Sequence, residues 1–142
     1  MKFPLEILQT LRAEASEVSG FLEFFESWAD EHEIDPRVST SMGLMLDEWL
    51  TNIAMHAYAG ASGPVEIRIA APSAQQVDAW IVDAGPPFDP LQAPAADTTG
   101  ALEDRQIGGL GIHFIRRMAN RFEYERTDDR NRVHFGKGVP GT

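Results

Sequence analysis

The chain has 142 residues, 43% of them hydrophobic and none of them cysteine. That fits one globular domain spanning residues 1–142, with a core of its own and no disulfide framework or thiolate metal site. Twelve Lys and Arg against 22 Asp and Glu leave a formal charge of −10, which argues against a nucleic-acid footprint and for protein or small-molecule partners.

The amino-terminal stretch MKFPLEILQT carries Glu6 inside its apolar run and shows no small-residue cleavage pattern. No run approaches the roughly 20 apolar residues of a membrane span, so a cytoplasmic protein without membrane contact is expected. KFPLEILQ reads as a short strand, with Pro4 near its start where a missing amide is tolerated. From Leu11 to about Glu33, Leu11, Val18, Phe21, Leu22, Phe25 and Trp28 recur at helical spacing and predict an amphipathic helix. Asp35 before Pro36 is a helix-start signature, and a second helix is expected from there to about Tyr58. AGASGP ends it. VEIRIA and VDAWIVDAG then alternate apolar with polar residues and predict an antiparallel hairpin turning through APSAQQ. From PPFDP to DRQ the chain is rich in Pro, Ala, Asp and Thr without a usable period, which makes Leu91 to Gln106 a candidate lid. GGLGIHFIRRMAN opens a third helix with glycines, and RFEYERT and NRVHFG predict a closing hairpin around DDRN.

Three polar constellations interrupt this pattern. On the second helix, Glu48, Asn52 and His56 lie four residues apart, each turned about 40° from the last, beside the apolar arc of Met42, Met45, Trp49 and Ile53. Helix geometry alone would equally allow a surface-edge row reaching for water. In DAGPPFD a strand ends in Asp83, a carboxylate able to accept from an exocyclic amine, and Gly85 permits close approach of a flat ligand, although an ordinary turn has the same composition. In GGLGIHF, Gly108, Gly109 and Gly111 precede or open a helix, where free amides and the helix dipole suit phosphates, or where glycine serves only a turn or close packing.

In their order, DEWLTNIAMHAY, DAGPPFDP, GGLGIHFIRRMAN and NRVHF, these segments resemble the nucleotide-binding domain shared by gyrase, histidine kinases and MutL, the Bergerat fold. The His-Ala-Tyr end of the first segment and the Pro-Phe-Asp-Pro of the second are similar to the stand-alone anti-sigma-factor serine/threonine kinases of bacterial partner-switching systems. Nothing in the 142 residues resembles the phosphoacceptor-histidine helix pair of a sensor kinase or the transducer domain of gyrase-like ATPases, which favours that branch. The resemblance implies a two-layer α/β sandwich, a mixed and largely antiparallel sheet with helices on one face and ATP held between helices and lid. It implies that Asn52 coordinates Mg²⁺ bridging the phosphates and that Glu48 is the acid/base or water-positioning residue. It implies further that Asp83 binds the adenine amine, that Gly85 lines the base pocket, and that Gly109 and Gly111 lie against the phosphates. His56 would be structural. The implied activity is phosphorylation of an anti-anti-sigma (STAS-type) protein, coupled to sequestration of a sigma factor or analogous regulator, by a chain that commonly forms a homodimer. A nucleotide-sensing, protein-binding module without efficient phosphotransfer is the alternative. Arg105 is the one basic residue between Leu91 and Ile107, so charge on the γ-phosphate would be met chiefly by magnesium and backbone amides.

Overall fold

The computed structural model describes residues 2–58, 61–92 and 109–141. Its described strands form one five-stranded sheet in the order β1-β2-β3-β5-β4. The strands are β1 (Leu5–Arg12), β2 (Pro64–Ser73), β3 (Gln76–Asp83), β4 (Arg121–Thr127) and β5 (Arg130–Gly138). Helices α1 (Ala15–Glu31), α2 (Pro36–His56) and α3 (Gly109–Met118) complete the regular structure together with a 3₁₀ turn at Pro90–Gln92. This is the expected two-layer α/β sandwich, and every pairing among the described strands is antiparallel.

Alternation decides which face of the sheet is covered. Val65, Ile67, Ile69 and Ala71 of β2, Val77, Ala79 and Ile81 of β3, and Val133 and Phe135 of β5 are buried on one face. They meet Val38, Met42, Met45, Leu46, Trp49, Leu50 and Ile53 of α2, Phe21, Phe25 and Trp28 of α1, and Ile112 and Ile115 of α3 in a single core. The other face carries Arg68, Trp80 and His134, with the Arg68 guanidinium 4.5 Å from the Trp80 ring centre and the His134 ring stacked at 4.4 Å.

Local signals set the element ends. Asp35 caps α2, its carboxylate accepting from the Arg37 amide at 2.9 Å, and Pro36 takes the first helical position. The β4–β5 hairpin turns through Asp128 and Asp129, both left-handed, at φ 55° and 58°. Two boundaries differ from expectation. The first strand runs to Arg12, and Leu11 pairs with Val65 in the sheet instead of opening a helix. Leu11 satisfies both periods, seven residues before Val18 on a helix and on the same face as Ile7 and Gln9 on a strand, and a free partner edge on β2 decides between them. The second helix ends at His56, with Ala57 as its cap.

Candidate functional site

Helix α2 crosses the end of β3 so that its carboxyl-terminal half and the strand end enclose a cavity of about 220 Å³. Trp49, Asn52, Ile53 and His56 of α2, Asp83 at the end of β3, Pro86, Pro87 and Phe88 of the following loop and Asn131 of β5 line it. Larger concavities of about 970 and 960 Å³ lie on the uncovered sheet face and between α1 and α2, and neither contains any of the residues nominated from the sequence.

Asp83 is 4% exposed and is the one buried charged residue among the described residues. Its Oδ1 accepts from the Gly85 amide at 2.9 Å and from Asn131 Nδ2 at 3.0 Å. Among the described residues Oδ2 takes no hydrogen bond, and Asp83 lines the cavity. An ionised carboxylate is acceptor-only, and one free acceptor at the bottom of a small apolar cleft selects a ligand that brings an N–H. The loop after it is drawn tight. A Cβ on Gly85 would stand 2.7 Å from the Ala57 carbonyl oxygen, 2.9 Å from Ala57 Cβ and 3.0 Å from Asp83 Oδ1, so only glycine passes beneath the end of α2. Tyr58 ties the same corner, donating to the Pro64 carbonyl at 2.6 Å and accepting from the Ala84 amide at 2.8 Å. Arg126 donates to the Gly85 carbonyl at 2.8 Å. The walls are apolar: Phe88 stacks on Trp49 with ring centres 6.2 Å apart. Trp49 is 2% exposed, and its indole N–H has no acceptor among the described residues.

Asn52 and Asp83, nominated from separate segments, therefore face one cavity, and His56 lines it as well with its side chain exposed. Asn52 makes no side-chain hydrogen bond among the described residues, which leaves its amide oxygen available to a hard cation. A single such oxygen suits magnesium, which retains several waters. Glu48 lies one turn before Asn52 and outside the cavity lining. It faces α3, where a Cβ on Gly111 would come within 2.5 Å of Glu48 Oε2. Burial, and secondarily the neighbouring Asp47 carboxylate, push the Glu48 pKa up. Gly109 is the first residue of α3. Gly108, Arg105 and most of the candidate lid fall outside the described residues; its first turn, Pro90–Gln92, is held by Arg116 of α3, which donates to the carbonyls of Pro90 (3.0 Å) and Leu91. Asn131 was not nominated from the sequence. Its signal, the first residue of NRVHF, becomes legible only once β5 is known to lie beside β3 with Asn131 opposite Asp83.

A two-layer sandwich that sets a buried acceptor, an unengaged amide and a glycine-opened helix along one side of α2 defines a Bergerat-type nucleotide-binding domain. The family model of the histidine kinase-like ATPase domain matches residues 11–137, and the chain belongs to that family. It is also similar to the serine/threonine-protein kinase BtrW of Bordetella bronchiseptica, with 28% identity over 124 residues covering 87% of each chain. An ATPase domain of this family binds ATP, and beyond the cavity Glu48 of α2 meets Gly111 of α3.

Proposed function

We propose that this protein is an ATP-dependent serine/threonine protein kinase of a partner-switching system. It phosphorylates a small anti-anti-sigma (STAS-type) protein and sequesters a sigma factor or analogous regulator in the cytoplasm. The observation that carries the reading is the buried Asp83, whose Oδ2 is unengaged among the described residues, in a cavity shared with Asn52, with Glu48 a turn before Asn52 on α2. The family membership and the kinase relative support it. The charge of −10 disfavours nucleic acid as a partner, and among the described residues no helix is long and apolar enough to cross a membrane.

Bound Mg²⁺-ATP supplies the transferable phosphoryl group and the cation that offsets its charge. Asp83 accepts from the adenine 6-amino group, Gly85 lets the base lie against the backbone, Asn52 offers its amide oxygen to the metal, and Gly109 and Gly111 keep the start of α3 open for phosphates. Glu48 takes the proton of the acceptor hydroxyl on a carboxylate oxygen as the new P–O bond forms and the bond to ADP breaks. The upward push on its pKa makes that carboxylate a stronger base than an exposed glutamate.

The experiment mixes the protein, labelled ATP and the STAS-type protein encoded nearest to its gene, and follows label on serine or threonine. Wild type should transfer. Glu48→Gln should lower transfer by about 10²- to 10⁴-fold with little change in ATP affinity, and Asn52→Ala should lose Mg²⁺-dependent binding itself. Tight ATP binding with no transfer would favour the second reading, a nucleotide-sensing protein-binding module. That reading draws on two observations: no hydrogen bond or ion pair orients Glu48 among the described residues, and the lid segment carries only Arg105 as a cation.

A further inference from the structure

We infer that Asn131 is the positioning residue that commits the Asp83 carboxylate and the Phe88 wall to a purine bearing a 6-amino group; this deepens, and rests on, the ATP reading above. Asn131 is 3% exposed and sits opposite Asp83 in the β3–β5 register. Its Nδ2 donates to Asp83 Oδ1 at 3.0 Å and to the Pro86 carbonyl at 2.9 Å, with a longer approach of 3.5 Å to the Gly85 carbonyl. Its Oδ1 accepts from the Phe88 amide at 3.2 Å and from the Tyr124 hydroxyl at 2.7 Å.

The amide has one workable orientation. The Phe88 N–H can only donate and the Pro86 carbonyl can only accept, so turning the side chain over would set N–H against N–H and oxygen against oxygen at once. With both its hydrogens and both its acceptor directions taken, Asn131 has nothing left for a ligand and acts through its neighbours. Two effects follow. Asp83 Oδ1, receiving Asn131 and the Gly85 amide, is saturated, so the acceptor this carboxylate keeps for a ligand is Oδ2, which takes no hydrogen bond among the described residues. The Phe88 backbone is anchored where its ring stacks 6.2 Å from Trp49, at an interplanar angle of 15°. One side chain thus sets the polar floor and the aromatic wall together, and the floor is an acceptor matched to an amine rather than to a 6-oxo group.

The test compares ATP with purine riboside 5′-triphosphate, which lacks only the 6-amino group, by titration calorimetry on wild type, Asn131→Ala and Tyr124→Phe. Wild type should prefer ATP by about 10- to 100-fold, the range of one hydrogen bond to a charged group. Asn131→Ala should bring the preference within about threefold, mainly through loss of ATP affinity. Tyr124→Phe, which removes one hydroxyl from the network, should move the ratio in the same direction by less, and it stands in if Asn131→Ala does not fold. A ratio unchanged in the variants, with both nucleotides weakened alike, would overturn the inference and leave Asn131 a purely structural residue. So would a wild-type ratio near one. A wild-type chain that binds neither nucleotide would instead overturn the ATP reading on which it rests.

Discussion

Glu48 is where catalysis and stability pull in opposite directions. Its side chain is turned toward Gly111, and burial followed by the Asp47 charge raises its pKa above the ordinary 4.5. A raised carboxylate pKa means that ionisation costs more in the folded than in the unfolded chain, so the penalty is absent below the ordinary value and appears as pH rises through the folded one. Glu48→Gln should therefore melt at a higher temperature than wild type at pH 7, and thermal melts followed down through pH 4.5 should show the gap closing. Gly85 and Gly111 differ in what an added Cβ meets. Gly85→Ala drives a Cβ into the Ala57 backbone, which cannot move without lifting the end of α2, so ATP affinity should fall by an order of magnitude or more. Gly111→Ala meets only the mobile end of the Glu48 side chain. It should fold, but with Glu48 pushed aside and the start of α3 crowded it should lose phosphate transfer more than ATP affinity, as steady-state kinetics beside calorimetry would show. Asp83, Asn52 and Gly85 were legible as motif residues because each sits in a locally recognisable segment. Asn131 was not, because its partnership with Asp83 spans 48 residues and exists only in the folded sheet.

At the scale of elements, period and punctuation carried most of the information. The alternation of VEIRIA and VDAWIVD predicts strands because one face is buried and the other wet, and the Asp35-Pro36 pair predicts the start of α2 because the carboxylate can cap an amide that proline does not need. The β1–α1 boundary failed because Leu11 fits both periods, and pairing with Val65, a long-range contact, settles it. The β4–β5 turn was legible as a turn from DDRN, although aspartate at both left-handed positions is not its best chemistry. Asp-Gly suits such a two-residue turn better, since glycine carries no Cβ penalty at positive φ. Asp129→Gly should accordingly stabilise the protein by about 0.5–1 kcal/mol, after the entropy glycine loses on folding is set against the relieved strain, as equilibrium urea denaturation would measure.

The whole molecule works by strand order. With β5 inserted between β3 and β4, the end of β3 and the start of β5 lie side by side beneath α2, and chain segments far apart in sequence converge on one cavity. No local pattern encodes that insertion, because periodicity predicts strands and not their order in the sheet. The architecture makes a definite claim about ligand choice, because a buried acceptor presented by the sheet should favour adenine's amine and oppose guanine's carbonyl oxygen. Titration calorimetry of wild type and Asp83→Asn with Mg²⁺-ATP and Mg²⁺-GTP tests it most directly. Wild type should bind ATP at least tenfold more tightly than GTP, and Asp83→Asn should lose most of that preference. Equal affinity of the wild-type protein for the two nucleotides, or binding of neither, would contradict the account.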